Sequence, residues 1–174
     1  MLFVKIIVLA ILILIFVQDV RNRSVYWFLF PVLVVLFVIV HSLQHHLFAE
    51  NWQAVLVNIG FLVVQYLIVS VYFSIKSKQW VNITDNLLGW GDILFLLCIT
   101  VYLSALNFLL FYVTSLIISL LIWLIWQLIS KKKNKQIPLA GLQALIFTVF
   151  LAVDWWFRSF DLTNDTWLLS LIMK

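Results

Sequence analysis

Two aspartates, Asp19 and Asp92, stand out in a chain that has only seven carboxylates among 174 residues. Asp19 closes the first apolar run and Asp92 opens the fourth, so both belong at similar depth on one side of a membrane. They lie 73 positions apart, and only packing of the first helix against the fourth can bring them together. Two carboxylates about 3 Å apart cannot both ionise readily, and sharing a proton leaves one as a general base toward water and the other as an acid toward a carbonyl oxygen. Such a pair can hydrolyse an amide with no metal, cofactor or covalent nucleophile. Each aspartate also has a plainer explanation. Gly89-Trp90-Gly91-Asp92 ends a polar loop and begins a helix, where an N-cap carboxylate accepts orphan backbone N–H groups and meets the positive end of the dipole. Asp19 faces the negative end of its own helix, a cost that Arg21 and Arg23 can offset as neighbours of an interfacial charge.

The residues around Asp92 favour the chemical reading. Gly89 and Gly91 are half of the four glycines in the chain, and both sit in the turn that precedes the carboxylate. Without a Cβ they permit unusual dihedrals and let another backbone come close, as a scissile peptide must.

The elements that would carry these residues follow from composition. Hydrophobic residues make up 66% of the chain and charged residues 10%, against about 25% charged in soluble domains, which excludes a water-soluble globule and a disordered chain. A bilayer core needs about 20 apolar residues per helix, and runs at about 2–18, 26–43, 52–75, 92–107, 108–130 and 138–157 predict six spans. All must be helices, because backbone exposed to lipid has to satisfy its own hydrogen bonds, and the runs lack the alternation of barrel strands. The expected fold is therefore all-α, a polytopic membrane protein with about six transmembrane helices over residues 1–157. A short interfacial tail on the outer side is expected over 158–174. The first run has no small-x-small cleavage pattern after it and reads as a retained span. The single cysteine, Cys98, permits neither an intramolecular disulfide nor a cysteine-ligated zinc module.

The cations set an orientation. Eight of the 11 Lys and Arg residues (Arg21, Arg23, Lys76, Lys78, Lys131, Lys132, Lys133 and Lys135) fall in connections on one side, which the positive-inside rule assigns to the cytoplasm. Both termini then lie outside, and Asp19 and Asp92 lie at the cytoplasmic surface. Because the cations are confined to short connections, the bilayer is the expected partner and nucleic acid is not.

Three patches taken together resemble the type IV prepilin peptidase and archaeal preflagellin peptidase family of intramembrane aspartyl proteases. They are Asp19-Val20-Arg21-Asn22-Arg23-Ser24-Val25, Gly89-Trp90-Gly91-Asp92-Ile93 and Gln136-Ile137-Pro138-Leu139-Ala140-Gly141. The resemblance covers residues 1–157 in helix order. Presenilin-like proteases share Gly-x-Gly-Asp but are larger and differ at the first motif. The family usually has Ile-Pro after the basic turn, where this chain has Val25-Tyr26, and often Lys two residues beyond the second aspartate, where it has Leu94. The resemblance implies an aspartic endopeptidase of the short form, without the zinc module, that cuts a short basic leader from a prepilin-like membrane protein. Asp19 and Asp92 would be catalytic, with Gly89, Gly91, Arg21, Arg23, Pro138 and Gln143 shaping the site. A catalytically degenerate homologue, or a small transporter using the two aspartates as proton sites, is the alternative from another class.

Other polar residues carry weaker signals. His41 and His45 could share a helix face, with His46 beside them, but they lie on the side opposite the aspartates and no metal site is expected. Asp154 and Arg158, four apart, read as an ion pair, and Asn82-Ile83-Thr84 matches a glycosylation pattern in a loop placed on the cytoplasmic side. Asn58, Gln65 and Gln143 should face other helices or a water path.

Overall fold

A computed structural model describes residues 1–44, 52–77, 89–129, 137–157 and 161–172. Every regular element among them is a helix: α1 (Leu2–Asn22), α2 (Leu29–Gln44), α3 (Trp52–Ser77), α4 (Trp90–Ile99), α5 (Ala105–Ile129), α6 (Leu139–Phe157) and α7 (Thr166–Ile172). Among the described residues, α1, α3, α5 and α6 are long and apolar enough to cross a bilayer. The other two apolar helices are shorter, α2 with 16 residues and α4 with 10. At 1.5 Å per residue α4 reaches only about 15 Å, half of a bilayer core. Its run, read as a span over 92–107, breaks at Thr100, and α5 starts at Ala105 rather than 108.

The break after α4 is stabilised from elsewhere in the chain. Buried Asn58 of α3 donates its amide to the carbonyls of Leu103 (3.0 Å) and Thr100 (3.4 Å), which a continuous helix would otherwise have satisfied. On the far side of the break, Asp165 Oδ1 accepts from the backbone N–H of Leu106 (3.1 Å) and Asn107 (3.4 Å) and from the Ser104 hydroxyl (2.5 Å), so the tail caps α5. Asn107 holds the same tail through its amide, which reaches the carbonyls of Asp161, Leu162 and Asn164 at 3.1–3.3 Å. Leu162 and Thr163 are buried as a result. Asn107→Leu strands those carbonyls, and we expect a loss of about 2 kcal/mol. The measurable sign is faster deuterium exchange over residues 161–170, with exchange in α1 unchanged.

The core lies where α1, α2, α4, α5 and α6 meet. Val8, Leu12, Ile15 and Asp19 recur every three or four residues on α1 and form its buried stripe, so Asp19 extends an otherwise apolar face. Asp19 of that stripe lies against Gly141 on α6, where Ala140 and Ala144 are also buried, and among the described residues α1 with α6 is the most extensively packed helix pair. Small residues on one partner are what allow so close an approach. Farther along α6, Phe147 contacts the rings of Phe37, Phe95, Tyr102 and Phe111, tying α2, α4 and α5 to it.

Candidate active site

The carboxyl end of α1 and the amino ends of α4 and α6 meet at one end of the bundle. Asp19, 8% exposed, accepts a 2.6 Å hydrogen bond at Oδ2 from the backbone N–H of Gly141. Arg23, in the left-handed conformation (φ 53°), closes α1 by donating its backbone N–H to the Asp19 carbonyl at 2.9 Å, and its charge acts on the Asp19 carboxylate. Asp92 is half-buried and accepts from the Gly89 N–H at 3.2 Å, and the backbone dipole of Ala140 acts on its charge. Asp19 is therefore held by the first turn of α6, and Asp92 lies close enough to that turn and to Asp19 for the Asp19 charge to act on it. Unpaired N–H groups and the positive end of the dipole make a helix N-terminus suited to negative charge.

Two details of the sequence reading change. Asp92 is not the N-cap: Gly89 caps α4, and Asp92 is its third residue, turned back onto the Gly89 N–H in half of a capping box. Neither Gly89 nor Gly91 has a positive φ, so unusual dihedrals are not what these glycines supply, and only Gly89 is short of space. A Cβ on Gly89 would lie 3.2 Å from Asp92 Oδ2, whereas one on Gly91 would meet Ala140 and Val25 at ordinary distances of 3.9 and 4.0 Å. We expect Gly91→Ala to keep thermal stability and, in a cleavage assay, activity within about threefold, since it adds a methyl without displacing anything.

The remaining site residues divide. Arg21 and Arg23 are exposed at the end of α1. Pro138 immediately precedes α6, its carbonyl accepting from the Leu142 N–H at 3.1 Å. Gln143 is fully buried, but its described partner is on the other side, with Nε2 donating to the Ser115 hydroxyl of α5 at 3.3 Å. Gly141 is the residue that site selection missed. It belongs to the third matched patch, yet nothing local indicates that its N–H meets an aspartate 122 positions away. A Cβ there would lie 2.9 Å from Asp19 Cβ and 3.2 Å from the Phe16 carbonyl.

The weaker candidates have other surroundings. His41 is buried in α2, and His45 and His46 lie outside the described residues, as do Arg158, Asn82-Ile83-Thr84 and the lysines from Lys131 to Lys135. Asp154 accepts from the Tyr102 hydroxyl at 3.5 Å, and that hydroxyl accepts from Trp155 Nε1 at 2.9 Å, with the Lys5 charge nearby. Gln65 accepts from the Tyr112 hydroxyl at 3.3 Å inside an apolar cleft of about 330 Å³ between α3, α4 and α5. Trp90 and Ile93, on either side of Asp92 in sequence, line that cleft. No family model, curated protein or solved structure matches the chain.

Proposed function

We propose that the protein is an intramembrane aspartic endopeptidase of the prepilin-peptidase type, which removes the short leader of a prepilin-like membrane protein at the cytoplasmic membrane surface. The observation that carries this reading is the convergence of Asp19 and Asp92 at the N-terminus of α6, where the Gly141 N–H holds Asp19 and the Asp19 charge reaches Asp92. A solvated interfacial charge needs no such cradle, and two carboxylates so placed are the minimum apparatus for metal-free amide hydrolysis. The distribution of cations supports the cytoplasmic side. The apolar cleft beside Trp90 and Ile93 supports a substrate with a hydrophobic segment next to the bond that is cut.

In the proposed reaction the ionised carboxylate takes a proton from water as the water oxygen bonds to the scissile carbonyl carbon. The protonated carboxyl gives its proton to the carbonyl oxygen, forming a neutral gem-diol. The C–N bond then breaks as the first carboxyl returns its proton to the departing nitrogen and the second recovers one from a gem-diol hydroxyl. Both aspartates end as they began. The α6 N-terminus stabilises the single negative charge that the pair carries throughout.

The experiment is cleavage in proteoliposomes containing the purified protein and a prepilin-like substrate with a basic leader and an apolar helix. Release of the leader by the wild-type chain, lost in Asp19→Asn and in Asp92→Asn, is the expected result. A wild-type chain that cuts no such substrate, or aspartate variants that cut as well as wild type, would overturn the reading.

A further inference from the structure

A second polar feature lies between α5 and α6 on the flank that Gln143 faces. Ser115, Ser119 and Trp123 recur every four residues along α5 and so share one face. Ser115, Ser119 and Gln143 are fully buried. Gln143 Nε2 donates to Ser115 Oγ at 3.3 Å, and Ser115 Oγ donates to the Tyr112 carbonyl at 3.1 Å. Two buried atoms of this seam, Gln143 Oε1 and Ser119 Oγ, have no hydrogen-bond partner among the described residues, and Trp123 Nε1, on the same face of α5 one turn beyond the start of α6, has none either.

The register of the two helices gives the depth of these atoms. Ser115 meets Gln143 and Phe111 meets Phe147, so α5 and α6 run antiparallel, and each step forward on one is a step back on the other. Ser119 is one turn beyond Ser115, which is level with Leu139 and Ala140, the first turn of α6. That is the turn whose Gly141 N–H holds Asp19 and beside which Asp92 lies.

Buried polar atoms without partners are costly, and where several share one seam the usual partner is ordered water. Their chemistry suits water: an amide oxygen accepts, an indole N–H donates and a hydroxyl does both, while water offers two donors and two acceptor sites. We propose that the α5–α6 seam is a water-binding site, formed by Gln143 and Ser119 with Trp123 one turn beyond the start of α6, that keeps water at the depth of the aspartates inside the membrane. Its existence does not depend on the proposed peptidase activity. Its role, storing the second reactant of the hydrolysis, rests on that reading.

The test uses the full chain with its one cysteine changed, Cys98→Ser, which keeps a donor toward the Phe30 carbonyl. Ser119→Cys is then compared with Leu120→Cys, whose native side chain is 48% exposed on the outer surface of the bundle. Only a hydrated thiol ionises and reacts with a small charged methanethiosulfonate, so Ser119→Cys is expected to be modified at least about tenfold faster, both chains eluting as single species in detergent. Equal rates would overturn the water site. In the cleavage assay Gln143→Leu is expected to lower kcat about tenfold with KM unchanged, the size of one lost hydrogen bond, and Gln143→Asn to recover part of it. A Gln143→Leu chain that cuts at the wild-type rate overturns the storage role. A wild-type chain that cuts nothing removes that role along with the peptidase reading, and the labelling result stands apart from both.

Discussion

Gly141→Ala is expected to leave the protein folded and to slow cleavage at least about 100-fold, a much larger effect than any methyl added on the α4 side of the site. The added Cβ would sit 2.9 Å from Asp19 Cβ, 3.1 Å from Asp19 Oδ2 and 3.2 Å from the Phe16 carbonyl. Two of these are parts of the α1 backbone and its first side-chain atom, not the far end of a flexible chain, so relief requires moving α1 away from α6. Overpacking of this kind typically costs about 1–3 kcal/mol, which α1 and α6 can bear given that they form the most extensive helix contact. The site is less forgiving, because displacement by about 1 Å can cost about 100-fold in rate. It also lengthens the 2.6 Å bond that fixes the Asp19 carboxylate. The measurement is leader release in proteoliposomes beside a thermal melt, with Gly91→Ala as the matched control. If Gly141→Ala cleaves like Gly91→Ala, the Asp19–Gly141 contact does not position the reaction.

How much of this arrangement was legible in the sequence depends on the range of each interaction. The helices α1, α3, α5 and α6 could be marked because a stretch of 18 or more predominantly apolar residues has few alternatives in lipid. The pairing of Asp19 with Asp92 could be suggested by depth alone, since carboxylates are scarce and each sits at the end of an apolar run. The break after Ile99 could not be marked, because the run is apolar throughout and the groups that stabilise the break, Asn58 and Asp165, come from distant parts of the chain. Gly141 was hidden for the same reason: a glycine inside a helix shows its purpose only when the neighbouring helix is known. Gln143 reads as a site neighbour because it lies close in sequence to the third patch, yet two residues beyond Gly141 a helix has turned a side chain by about 200°, and it faces α5. Its unpartnered oxygen is visible only in three dimensions.

Replacing the aspartates is expected to have the largest effect on the chemistry and one of the smallest on the fold. Asparagine has the same shape, and at position 19 its carbonyl oxygen can still accept from the Gly141 N–H, while at position 92 it can still accept from Gly89. A partly or wholly buried carboxylate is costly to desolvate, so Asp19→Asn and Asp92→Asn should melt no lower than wild type. The amide can neither take a proton from water nor give one to a carbonyl oxygen, and loss of general acid–base assistance is worth about 10²–10⁴ in rate. Each single variant should therefore lose at least about 10³-fold. The double variant should lose no more than the worse single one, because groups that share one proton act as a unit and their losses do not add. Three chains and two measurements, initial cleavage rate and melting temperature, separate this from the plainer account. If Asp92 only caps α4 and Asp19 is only an interfacial charge, the asparagine variants will cut at nearly the wild-type rate and any losses will multiply. A large and non-additive loss without destabilisation requires that the two carboxylates work on one substrate bond.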